Sequence, residues 1–115
     1  MTTFSLGAFS AALAVLLGAF GAHGLAQIGE VRLAWWHTAS QYHFIAAFGL
    51  MLAGALFRER FAAASPATLF LLGTLLFSGS LYAMALGAPR WFGAITPLGG
   101  LSLIGAFIWL GIRAL

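Results

Sequence analysis

Polar side chains interrupt this chain at few places, and the intervals between them have the length of a membrane crossing. Glu30, Arg32, Arg58, Glu59, Arg60, Arg90 and Arg113 bracket uncharged stretches from Met1 to Gly29, Leu33 to Phe57, Phe61 to Pro89 and Trp91 to Ile112. Each reaches the ~20 residues that a hydrocarbon layer about 30 Å thick demands. A charge at the centre of a spanning helix costs about 2.5 to 3.5 kcal/mol on insertion scales, so the charges mark span ends. Breakers place those ends more finely. Ser65-Pro66 and Thr96-Pro97 each set an N-cap hydroxyl before a proline suited to the first helical position. Gly24 and Gly87 suit the left-handed residue that closes a helix. The pattern predicts one transmembrane domain, 1–115, with spans over about 4–23, 36–57, 66–86 and 97–113. Short connections make successive spans antiparallel neighbours, and the expected fold is an all-α membrane protein, a compact antiparallel four-transmembrane-helix bundle.

Composition agrees and narrows the function classes. A hydrophobic share of 63% against 6% charge is far from the soluble balance, in which about a quarter of residues are charged. No cysteine is present, which excludes a disulfide framework, thiolate metal sites, thiol nucleophiles and a lipidated cysteine anchor. The formal charge of +3 comes from scattered arginines, with no basic run that could track nucleic acid. The first span has no basic residue before it and a long apolar run, so it reads as a retained helix rather than a secretion signal.

Within the spans, small and polar residues recur at spacings of three and four, the repeat that keeps one stripe against a neighbouring helix. The stripe reads Gly7, Ala11, Ala14, Gly18, Gly21 in the first span and Ser40, His43, Ala47, Leu50, Gly54 in the second. In the third it reads Gly73, Phe77, Ser80, Met84, Gly87. Lipid tails are as apolar as leucine, so helices in a bilayer associate through close backbone approach and interhelical hydrogen bonds. These positions are read as helix packing, and Ser78 and Ser80 as hydroxyls bonded back to their own helix.

Side-chain chemistry gathers at one end. His23 closes the first span, His37, Gln41 and His43 open the second, and Tyr82 lies late in the third. Glu30, Arg32, Arg90 and Thr96 fall near the same end, together with Trp35, Trp36 and Trp91, while Trp109 marks the opposite interface. His23, His37, Gln41, His43 and Tyr82 are therefore the candidate ligand-binding residues. His37 and His43 stand six residues apart, about 120° around a helix of 3.6 residues per turn, and cannot share one metal as an i, i+4 pair would. No cofactor is expected; His23 opposite His43 is the one pairing that could hold a haem or metal ion. Arginine counting sets Arg58, Arg60 and Arg113 against Arg32 and Arg90, which favours both termini in the cytoplasm.

The strings LGAFGAHGL at Leu17 to Leu25, WHTASQYHF at Trp36 to Phe44, LFSGSLY at Leu76 to Tyr82 and ITPLGG at Ile95 to Gly100 resemble the YgdD and YwdK type of small bacterial inner-membrane proteins, a family of unknown function. The resemblance covers nearly the whole chain, with motifs in order. It implies a multi-pass protein of the bacterial inner membrane with four spans, and no reaction. The family often carries a further histidine three residues after the one matching His43; Ala46 stands there in this chain, so that ligand pair is absent.

Two roles fit these readings. One is a non-enzymatic association or accessory subunit of a membrane complex, or a homo-oligomer, built on the glycine stripe of the first span. The other is a binder or carrier of a small amphipathic molecule, such as a lipid, quinone or small solute, in a polar pocket at the first-and-third-loop end. An enzyme is not expected: paired carboxylates, a nucleophile motif and a phosphate-cradling loop are all lacking. The lipid bilayer is the expected surrounding, and nucleic acid is not an expected partner.

Overall fold

In the computed structural model, which describes residues 2–58 and 65–115, every element is helical. Helix α1 runs Thr3–Gly24 and α2 runs Glu30–Phe57. The third crossing, Pro66–Ala85, is built from α3 (Pro66–Gly73), a π-helical turn (Thr74–Ser78) and α4 (Gly79–Ala85). A 3-10 turn at Arg90–Ala94 leads into α5, Thr96–Arg113. Four helices are long and apolar enough to cross a membrane, and the molecule is an integral membrane protein with the expected antiparallel four-helix architecture. Glu59 and Arg60, which the charge pattern places in the second loop, lie outside the described residues.

Local chemistry explains most helix ends. The Thr2 and Ser5 side chains cap α1 reciprocally, satisfying two of the four amides that a helix start leaves unbonded. Ser65 accepts from the Thr68 amide ahead of Pro66, as the Ser-Pro pair predicts. Gly87 adopts a φ of +114° after α4. Three expectations need correction. The left-handed glycine of the first loop is Gly29 at φ +98°, whereas Gly24 stays helical. The second helix begins at Glu30 rather than near residue 36; Glu30 is acidic and favours the positive end of the helix dipole, so both Glu30 and Arg32 belong to the first turn. Thr96 does not cap α5, because the chain enters that helix from the 3-10 turn already in helical conformation at Ile95.

Helix α2 is the central element, packed on α1 along one side and on the third crossing along the other, and α5 packs on the third crossing. Its buried residues Trp36, Ala39, His43, Ala46, Ala47, Leu50 and Ala53 recur at spacings of three and four. Glycines set the approach. A Cβ at Gly7 would meet Met51 and the Ala47 carbonyl at 2.8 and 2.9 Å, and one at Gly54 would meet the Phe4 backbone at 2.6 Å. Gly18 faces Ser40, Gly21 faces the Trp36 ring, Gly49 faces Phe70, Gly73 faces Leu103, and Gly99 faces the backbone at Phe77. In lipid, where apolar contact alone favours no particular partner, this proximity lets dispersion contacts and hydrogen bonds hold the helices. Ala46 is fully buried in the apolar cluster around Leu50, Phe70 and Ala106.

Candidate functional site

The polar side chains divide among three places. The first is internal. His43, 4% exposed, is bonded on both ring nitrogens: Nε2 lies 3.0 Å from Ser10 Oγ on α1 and Nδ1 lies 3.0 Å from the Tyr82 hydroxyl on α4. Ser40 Oγ donates to the Ala14 carbonyl at 2.9 Å. Three helices are joined through one imidazole. Next to it, Trp36 Nε1 donates to the Leu17 carbonyl at 2.6 Å, and its ring meets Tyr82 edge-on at 4.6 Å.

The π turn belongs to the same layer. A π turn carries one extra residue and offsets the helix faces before and after it. Here Ser78 Oγ donates to the Ala39 carbonyl of α2 at 2.8 Å, a link between helices rather than the bond to its own helix that sequence suggested. Ser80 does bond back to the Phe77 carbonyl at 3.0 Å, and it also meets Thr96 Oγ1 at 2.6 Å. Among the described residues, no buried side-chain polar atom lacks a partner.

The second place is the outer face of α1 and α2. His37 and Gln41 are exposed and line a shallow groove of about 600 Å³ with Ala14, Val15, Gly18 and Ala19. The third is the rim at the first and third loops. A depression of about 500 Å³ is lined there by Glu30, Arg32, Trp35, Met84 and Arg90. Arg32 is oriented by its Nε donating to the Ala85 carbonyl at 2.7 Å. Neither Arg32, Arg90 nor Glu30 forms an ion pair among the described residues.

The five candidate ligand residues are thus not brought together. His43 and Tyr82 meet inside, His37 and Gln41 share the outer groove, and His23 stands exposed in the last turn of α1. His23 and His43 do not oppose each other either. His43 faces Ser10, thirteen residues from His23 and so about 20 Å away along the helix, too far for both to bind one metal ion. No group of three or more metal-ligating side chains occurs among the described residues. The charged rim residues were visible in the sequence as loop charges. What hid their site was the start of α2 near residue 30, which carries Glu30 and Arg32 up beside Trp35.

Comparison with known proteins fits a chain of this architecture. The UPF0382 membrane protein YwdK of Bacillus subtilis (strain 168) is 44% identical over 113 residues, covering 95% of this chain and 92% of the relative. A UPF0382 membrane protein of Haemophilus influenzae is likewise 44% identical, over 94% and 87% of the two chains. The UPF0382 inner membrane protein YgdD of Escherichia coli (strain K12) is 39% identical over 94% of this chain and 85% of its own. No solved structure matches. The model of the protein family described as "Protein of unknown function (DUF423)" matches residues 17–100, and with relatives this similar over nearly their whole length the chain belongs to that family of membrane proteins.

Proposed function

We propose that the protein binds an amphipathic molecule with an anionic headgroup at the rim formed by the first and third loops. The single observation that supports this is the depression holding Arg32 and Arg90 with no carboxylate paired to either. A phosphate or carboxylate accepts charge-assisted hydrogen bonds from guanidinium groups, often two at a time. Arg32 has its Nε engaged by Ala85, which fixes the fork and leaves the Nη groups for a ligand. Trp35 and Met84 beneath them offer an apolar wall for the rest of the molecule. With both termini cytoplasmic, this rim opens on the outer side of the membrane. The role is binding rather than catalysis, because the depression offers one carboxylate and no nucleophile beside a base.

The glycine stripe of α1, which first suggested association, gives that role less support. Gly7, Gly18 and Gly21 face α2 of the same chain.

The test is native mass spectrometry of detergent-purified protein with three probes: short-chain phosphatidic acid, phosphatidylcholine of equal chain length, and inorganic phosphate. Phosphatidic acid is expected to bind, and Arg90→Ala and Arg32→Ala each to weaken it about ten-fold, the loss of one charged hydrogen-bonding partner. Phosphate binding alone would make the ligand a free anion. Equal binding of both lipids, unchanged in the variants, would sink the reading.

A further inference from the structure

Gln41 lies 2.5 residues from the midpoint of α2, Glu30–Phe57, so about 4 Å along its axis, and His37 is one turn nearer the rim. The neighbouring helix gives the same depth: Ser40 bonds the carbonyl of Ala14, at the middle of α1, Thr3–Gly24. The Gln41 carboxamide therefore faces the hydrocarbon near its centre, and the His37 imidazole, about 10 Å from the α2 midpoint, faces it nearer the rim. Neither has a hydrogen-bond partner among the described residues. Lipid tails offer none, and an unmet polar group in hydrocarbon is costly.

We infer that this face is where two copies of the chain associate in the membrane, the Gln41 side chains pairing across a two-fold axis parallel to the bilayer normal. Copies inserted with one topology and related by such an axis bring residues of equal depth face to face. Gln41 then meets Gln41 and His37 meets His37. Both groups suit that arrangement: a carboxamide carries donors and an acceptor, and a neutral imidazole carries one of each, so identical partners satisfy each other. On the α1 side Ala14 and Gly18 pack on α2 at the bottom of the groove and the small residue Ala19 is exposed along it, so another helix can approach closely. Such small residues with polar groups between them are how membrane helices adhere. Because the occupant must supply polar atoms at both depths, a plain acyl chain does not fit.

The absence of native cysteine makes the test clean. Single cysteines at Val15, Ala19 and Phe44 around the groove, and at Ile108 on α5 as a control, are oxidised in native membranes. A disulfide-linked dimer is expected from at least one groove position and not from Ile108. In an H37L/Q41L background that yield should fall about three- to fifteen-fold, the effect of one or two interhelical hydrogen bonds. Q41N, which keeps the amide, should retain most of it. Both leucines replace lipid-facing groups, so a thermal melt of the purified variant checks that the fold persists. A groove that yields no dimer overturns the inference, as does a yield indifferent to H37L/Q41L, an adduct with another protein alone, or monomers carrying a co-purified molecule in the groove.

Discussion

The two faces of α2 carry the same chemistry under opposite conditions. On the inner face His43 has both nitrogens bonded, to Ser10 and Tyr82. On the outer face His37 and Gln41 are exposed and unbonded among the described residues. Six residues separate the two histidines, about 120° of helical rotation, and that rotation decides which one becomes a structural link. A polar residue in a membrane span is therefore informative only with its direction. Facing inward, it fastens helices of one chain; facing outward, it requires something from outside the chain.

The largest break in this contrast is expected from filling the inner face. Gly49→Leu would drive a side chain into Phe70, which is fully buried, and should destabilise the fold by about 3 kcal/mol or more. Ala55→Leu on the exposed side of the same helix should change stability by less than about 0.5 kcal/mol. Equilibrium unfolding in mixed micelles measures both. Next comes His43→Leu, which leaves the Ser10 and Tyr82 hydroxyls without their partner and should cost about 1 to 3 kcal/mol. A double-mutant cycle with Tyr82→Phe sharpens this, with an expected coupling of about 1 kcal/mol; a coupling near zero would mean that the imidazole and phenol act independently.

Smaller effects mark the edges of the comparison. Ser78→Ala removes the bond to Ala39 and should cost about 0.6 kcal/mol, the average for such bonds in a membrane. Gln41→Leu should leave the unfolding free energy of the monomer within about 0.5 kcal/mol of the parent. A loss as large as that of His43→Leu would show that Gln41 is bonded within its own chain, and the distinction between the faces would collapse.

Much of the fold was legible in the sequence because a bilayer leaves few choices. Charges in hydrocarbon are costly and backbone groups must bond within their own helix, so the placement of Arg32, Arg58, Arg90 and Arg113 reports the span ends directly. The site was less legible. His43 stood out as a polar residue on the small-residue stripe, and its role as an interhelical link followed from that position. Its partner Ser10 did not stand out, since a serine in a span more often bonds its own helix. A pocket at the first-and-third-loop end was expected, but lined by His23, His37, Gln41, His43 and Tyr82; the depression there is lined instead by Glu30, Arg32 and Arg90, because α2 starts at Glu30 rather than near residue 36.

By itself, then, the sequence determined that this chain crosses the membrane as four helices, through the length of its uncharged stretches and the cost of its charges. Tertiary structure alone decided which polar group meets which. The π turn at Thr74–Ser78 aims Ser78 at α2, the register of α1 on α2 puts Ser10 rather than His23 against His43, and Gly29 starts α2 early enough to set Arg32 beneath Ala85. Each depends on rotation and axial offset between helices, quantities set by side-chain fit across an interface and absent from the pattern of any single span.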